Sequence, residues 1–221
     1  MRPAFDVTDQ LATVRLPLPH YPNRFSPMPT TPAPASEIPA SIADHPVLDM
    51  LNTVTSVDGR PHDVWQTDQD VSAWLVHAGW VDEPLAGRYP PGALLAVARH
   101  LREVIRTLVR ARKAGKTASP DALNVFLRQA PSHLVLAWRS GMPRVERRRP
   151  ADSVEQCLAP LAERAAQLLA DGDFHRIRMC EHPDCPLWFY DHTRSHKRRW
   201  CSMATCGNRH KVAAYRRRQQ G

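Results

Sequence analysis

Apolar residues recur at helical spacing through the middle of the chain. The clearest case is residues 94–113, where six aliphatic side chains fall within roughly 100° of a helical wheel and arginines occupy the other side. This pattern predicts a long amphipathic helix that ends at Gly115. Ser119-Pro120 and Ser153 carry the cap and first-turn signals of two further helices. Pro160 lies inside the second of these, so it has to kink that helix or mark its real start.

Shorter periodic stretches accompany this helical core. The expected elements are a short helix at 45–55 with Pro46 in its first turn, a helix at 71–77 capped by Thr67 or Asp68 and ended by Gly79, and a hairpin of 134–138 with 144–148 around Gly141. The predicted fold class is therefore mainly α (α+β), with a helical body and a small hairpin over residues 43–174.

The first 39 residues lack this periodicity and contain nine of the 21 prolines. Because proline has no backbone donor and apolar residues are sparse, residues 1–42 are predicted to be a disordered segment. No apolar core follows a basic start, so no secretory signal is expected. No stretch approaches the ~18 apolar residues of a membrane helix, so a cytoplasmic protein without a membrane partner is expected.

The positive charge of the chain is concentrated at one end. Residues 175–221 hold eleven Lys/Arg and three Asp/Glu, which accounts for the whole net charge of +8. A neutral body with a basic end indicates two parts with separate roles. A basic surface of this kind is typical of proteins that bind a polyanion, and a solvated basic tail is the alternative.

Four of the five cysteines lie in this basic segment as two pairs, Cys180 with Cys185 and Cys201 with Cys206. Four residues separate the members of each pair and fifteen lie between the pairs, which suits one structural Zn²⁺ held by four thiolates. An odd cysteine count in a reducing compartment argues against disulfides. A segment below ~50 residues also needs such a staple to fold. The competing ligands of a mixed Cys/His site are His182, His192 and His196.

The expected finger has a treble-clef-like arrangement. A strand at 187–190 would pair with 199–202, and a helix would begin at Cys206 and continue to about Arg218. Lys211 and Arg218 lie on the side of this helix away from the metal, whereas Arg217 lies on the metal side. The side chains expected to contact DNA are Arg194, Lys197, Arg198, Arg199, Arg209, Lys211, Arg216 and Arg218.

These residues match a known signature. The sequence R-R-W-C-S-M-A-T-C-G-N-R-H-K at 198–211 closely resembles the CGNR zinc finger, and its first half is matched by Cys180, Cys185, Phe189 and Asp191. The body is similar to the ABATE domain that usually precedes this finger, on residues 49–55, 73–79 and 101–115. The resemblance implies zinc ligands at the four paired cysteines, a finger that binds DNA and a larger domain that binds a ligand. It also implies membership of a family of stress-induced transcription regulators.

Three functions from different classes are compatible with these features. The first is a zinc-dependent, DNA-binding regulator whose body senses a small-molecule effector or forms a homodimer, with Asn52, Thr53 and Trp74 as candidate ligand contacts. The second is a zinc adaptor that binds RNA or protein. The third is a metal-dependent nuclease, which is disfavoured because the sequence offers no pattern for an open metal site and no Gly-rich phosphate loop. No catalytic residue is assigned.

Overall fold

Five helices contribute to the main hydrophobic core of the protein. In this computed structural model, which describes residues 42–57, 59–85 and 87–219, the last three of them are α3 (Ala93–Lys113), α4 (Asp121–Arg128) and α5 (Val154–Asp171). The apolar stripe of α3 meets that of α5, and Leu101 and Leu158 are fully buried between the two helices. Only Ile42 of the segment predicted to be disordered lies within the described residues.

The ends of these helices follow the capping signals of the sequence. Gly115 has a φ of 68° just after α3, a left-handed conformation that suits glycine, so the predicted end is confirmed. Ser153 accepts a hydrogen bond from the Gln156 backbone at 3.2 Å and begins α5, which then continues through Pro160. Ser153 is therefore the start of the helix, and Pro160 is an interior residue.

The segment before α3 contains a strand pair that the sequence pattern did not predict. Helix α1 (Pro46–Leu51) is shorter than expected, and β1 (Val54–Val57) then pairs antiparallel with β2 (Arg60–Asp63). The prediction of a helix to residue 55 is wrong here, because the β-branched run that starts at Val54 prefers extended backbone. Helix α2 (Asp68–His77) follows, and a capping box that joins Thr67 and Asp70 confirms its predicted start.

The predicted hairpin in the body is confirmed. Strands β3 (His133–Arg139) and β4 (Met142–Arg148) pair antiparallel, with Leu136 opposite Val145. The two-residue turn, Ser140 and Gly141, has positive φ at both positions, as a tight hairpin turn requires.

The C-terminal module is built on a different strand pair from the expected one. Strand β6 (Trp188–Tyr190) pairs with β5 (Ile177–Met179), not with residues 199–202, so the predicted pairing is wrong. The physical reason lies in the body, because Ile177 and Trp188 are buried in the main core whereas Phe189 faces the finger. A π-helical turn (Met203–Gly207) leads into α6 (Asn208–Gln219). The predicted C-terminal helix is present, and the treble-clef assignment stays a prediction.

Candidate metal centre and its basic surface

The four paired cysteines converge on one point. Their Sγ atoms all lie within 4.8 Å of one another, with Cys201 3.7 Å from Cys185 and 3.6 Å from Cys206. Four thiolates at the usual Zn–S length of 2.3 Å would be about 3.8 Å apart at the corners of a tetrahedron. The donor set and its spacing therefore fit one Zn²⁺. In the described part of the chain no histidine joins this cluster, so His182, His192 and His196 lie outside it.

Backbone hydrogen bonds help to position the ligands. The Cys180 N–H donates to the Leu187 carbonyl at 2.9 Å, and the Cys201 N–H points at the Cys180 sulfur at 3.4 Å. Cys206 is carried by the π-helical turn, whose start is capped by the Ser202 side chain. Because Cys180, Cys201 and Cys206 are also buried, the sulfurs have few alternatives to this arrangement.

The crowding of the sulfurs sets their protonation. A hydrogen bond from the Cys201 thiol lowers the pKa of Cys185 to about 5. The same bond, together with burial, raises the pKa of Cys201. Burial and the nearby Cys185 thiolate raise the pKa of Cys206 to about 11. A zinc ion must therefore displace protons from Cys201 and Cys206 as it binds.

Arg198, one of the predicted DNA contacts, points into the module instead of into solvent. Its guanidinium donates to the Trp200 carbonyl at 2.9 Å, to the Ile42 carbonyl at 3.1 Å, to the Cys201 carbonyl and to the Asp44 carboxylate. It also lies over the Phe189 ring, 4.4 Å from the centroid. These contacts use its donors, so Arg198 is a structural residue that ties the segment before α1 to the metal site.

The loop that carries Arg198 is fixed by a buried carboxylate. Asp191 accepts hydrogen bonds from the Thr193 N–H at 3.0 Å and from the Arg198 N–H at 2.9 Å, and its side chain is almost completely inaccessible. The loop thus has a defined shape, although most of its side chains are exposed. Arg199 in the same loop forms an ion pair with Glu181 at 2.5 Å and lies over the Trp200 ring.

The other predicted DNA contacts are exposed and make no hydrogen bond or ion pair with any described residue. This set is defined here as the basic surface, and it comprises Arg194, Lys197, Arg209, Lys211, Arg216 and Arg218. Arg217 is equally exposed and unpaired, although the helical wheel assigned it to the metal side. The wheel was misplaced because α6 begins only at Asn208, after the π-helical turn. Helix α6 buries none of its residues, so the metal site is its main attachment.

The three candidate ligand contacts of the body have separate environments. Asn52 and Thr53 are buried and committed to internal hydrogen bonds, and Thr53 accepts from Arg102 at 2.7 Å. Trp74 packs edge to face on Trp65 and borders a cavity of about 490 Å³. That cavity is also lined by His45 and His192, so it lies where the body meets the finger.

Asn52 has a role that sequence reasoning missed. Its amide donates to the Trp188 carbonyl and accepts from the Trp188 N–H, both at 2.8 Å. The Asn52 side chain thus pairs the backbone N–H and carbonyl on the edge of β6 that faces away from β5, as a neighbouring strand would. Further along the same edge, the Tyr190 N–H donates to the Ala43 carbonyl. The two groups are 136 residues apart in the chain, so no local pattern signals the contact.

A cluster of four thiolate donors beneath an exposed basic helix, attached to a helical body, defines a two-part protein of the zinc-finger class. Comparison with protein families agrees. The ABATE family model, described as "Putative stress-induced transcription regulator", matches residues 44–172, and the CGNR zinc finger model matches residues 176–219. The chain belongs to the ABATE family and carries a CGNR zinc finger after that domain. Neither description names an enzymatic activity. No curated protein matches the chain, and no helix among the described residues is long and apolar enough to cross a membrane.

Proposed function

We propose that this protein is a transcription regulator that binds DNA through the basic surface of its zinc-held finger. The observation that carries the proposal is the set of arginines and lysines that have no partner within the described residues. Buried or paired cations serve stability, as Arg198 does, whereas exposed unpaired ones are available to a polyanion. The zinc ion would be structural, because four thiolates leave it no open position for chemistry.

The two halves of the basic surface would act together on the phosphate backbone. Arg194 and Lys197 lie in the loop that Asp191 fixes, and Lys211 and Arg218 lie on α6. Both segments are anchored at the metal site, through Cys201 and Cys206. Zinc would therefore set the distance between the loop cations and the helix cations, and its loss would abolish DNA binding without removing any of the charges.

The body would supply regulation by binding a small-molecule effector. The cavity of about 490 Å³ combines Trp74 and His77 of α2, His45 at the start of α1 and His192 of the finger. An occupant would touch both parts at once, so it would bias how the finger is held against the body. The histidines and Trp74 that line the cavity suit a small molecule with polar and aromatic groups.

The proposal is tested by the salt dependence of binding to a labelled DNA duplex, followed by fluorescence anisotropy between about 50 and 200 mM salt. About five phosphate contacts would give a slope of log K against log salt near −4 to −5. Lys211→Ala should reduce that slope by about one contact, whereas Arg110→Ala, on the exposed side of α3, should leave it unchanged. Absent or salt-independent binding would refute the proposal. Stronger competition by structured RNA than by the duplex would instead favour an RNA adaptor.

A further inference from the structure

One face of the β3–β4 hairpin is apolar and turned to solvent. We call it the ribbon face and define it as Leu134, Leu136 and Trp138 of β3 with Pro143 and Val145 of β4. Leu134, Leu136, Trp138 and Val145 are 64%, 66%, 71% and 67% exposed. The opposite face combines the half-buried Val135, Ala137 and Glu146 with exposed charged residues such as Arg144 and Arg148. A face that is turned to solvent normally carries polar residues, and here one such face carries five apolar side chains.

No helix or other strand of residues 42–57, 59–85 and 87–219 packs extensively on this hairpin. Trp138 is the one aromatic residue of the patch, and aromatic side chains have areas of about 150–250 Å². With three aliphatic side chains about two thirds exposed and the exposed Pro143, the patch is on the order of 500 Å². A patch of that size is at the upper limit for the surface of a monomer. Two such patches face to face would bury on the order of 1,000 Å² in total, which reaches the threshold for a specific interface.

We propose that the ribbon face pairs with the same face of a second copy of the chain, about a two-fold axis. The register of the hairpin is compatible with self-association. The apolar Leu136–Val145 pair lies at the centre of the face, and the two ends of the face carry different residues that can contact each other in a symmetric dimer. Trp138 and Pro143 lie at one end, and Leu134 and Arg147 lie at the other. A two-fold axis that lies in the interface and runs perpendicular to the strands places Leu136 opposite Leu136 and brings Trp138 of each copy to the partner's Arg147 end. This axis keeps the two arginines apart, and Arg147, which donates one hydrogen bond to Ser132 at 2.7 Å, can still lay its guanidinium plane against the indole.

The benefit of a dimer rests on the proposed function, because a dimer is useful for DNA binding. The inference deepens that proposal by identifying the ribbon face as the surface through which two copies associate. Two fingers in a symmetric dimer would contact two half-sites, whereas one finger covers few base pairs. The mass of the protein in solution is measured without DNA, so failure of this inference and failure of DNA binding would be separate results.

Sedimentation velocity of the full chain over a range of concentrations tests the proposal. The wild type should form a dimer, and Leu136→Glu should weaken dimerisation about 30-fold or more, because it places two carboxylates at the two-fold axis. The matched control is Val125→Glu, at an exposed apolar residue of α4 that is 46% exposed. It should dimerise as the wild type does. A monomeric wild type at about 100 µM, or equal weakening by both variants, would overturn the proposal.

A second measurement keeps the test valid if Leu136→Glu disturbs folding, which circular dichroism would show. Leu136→Cys is a smaller change. In the zinc-bound protein, whose four ligand cysteines are occupied by the metal, a short bifunctional thiol reagent should join two copies through the new cysteine at position 136. Val125→Cys should give only background cross-linking. Equal cross-linking of the two variants would overturn the proposal whatever the result of the charge substitution.

Discussion

Replacement of Asn52 by Ala should weaken the attachment of the finger to the body more than any loss of a surface hydrogen bond. Asn52 and Trp188 are each only 3% exposed, and the Asn52 amide satisfies both the N–H and the carbonyl of Trp188 at 2.8 Å. The Ala variant leaves two buried backbone groups without partners.

The size of the effect follows from the cost of unsatisfied groups. Each buried unpaired donor or acceptor costs about 1–3 kcal/mol, so the free energy of unfolding should fall by about 2–6 kcal/mol. That is a large share of the ~5–15 kcal/mol that stabilises a typical domain. For a chain of this size each kcal/mol corresponds to about 2–4 °C, so the melting temperature should fall by roughly 4–24 °C.

The assay is urea unfolding at saturating zinc, with Asn208→Ala as the matched control. Asn208 is exposed and donates one hydrogen bond to the Ala204 carbonyl at 3.1 Å, so its loss should cost less than about 1 kcal/mol. Zinc stoichiometry should be unchanged in both variants, because neither touches a cysteine. If Asn52→Ala is no more destabilising than Asn208→Ala, the Asn52 amide does not hold β6 and the reasoning is refuted.

Three further predictions follow from the same contacts. Arg198→Ala should destabilise the finger by about 2–4 kcal/mol, measured by thermal unfolding, whereas the neighbouring Lys197→Ala should leave stability unchanged and weaken only DNA binding. Burial, with Arg164 and His192 nearby, lowers the pKa of His45 from 6.5 to about 4, so stability should be complete above pH 6.5 and fall by about 1–3 kcal/mol as the pH falls to 4. His45→Asn keeps the N-cap acceptor and should flatten this part of the stability profile. Zinc affinity should rise at least about a hundredfold per pH unit near pH 7, because Cys201 and Cys206 each release a proton, and competition with a chelator of known affinity measures it.

Each of these has a definite contrary result. Equal stability of Arg198→Ala and Lys197→Ala would show that the internal contacts of Arg198 contribute nothing. An unchanged acid profile in His45→Asn would assign the loss of stability to other groups. A zinc affinity independent of pH between 6 and 8 would mean that the thiols are already ionised before the metal binds.

Features encoded by local pattern were predictable from the sequence. The stripe of α3 and the capping signals at Thr67 and Ser153 fixed three helices, because burial of one helical face and a satisfied first turn are decided within a few residues. The spacing of the cysteines likewise anticipated a cluster, since two pairs of close ligands are themselves a local signal.

Features that depend on distant contacts were not predictable. Strand β6 pairs with β5 because Ile177 and Trp188 are drawn into the core of the body, and the sequence of the finger contains no sign of that core. Arg198 resembles its basic neighbours in composition, yet Asp44 and Ile42, more than 150 residues earlier, determine that it points inward. Asn52 is a candidate ligand contact in the sequence, and the structure adds a hydrogen-bond partner, Trp188, that lies 136 residues away and that no local pattern indicates.

The central claim is that bound zinc is required for DNA binding, and it is tested most directly by measuring zinc content and DNA binding on the same preparation. Native mass spectrometry should find one zinc per chain, and the same sample should bind a duplex in the anisotropy assay. Removal of zinc with a chelator should abolish binding, and added zinc should restore it, because the four metal bonds are the main link that holds the loop and α6 in register. Undiminished DNA binding by chains from which all zinc has been removed would contradict the central claim.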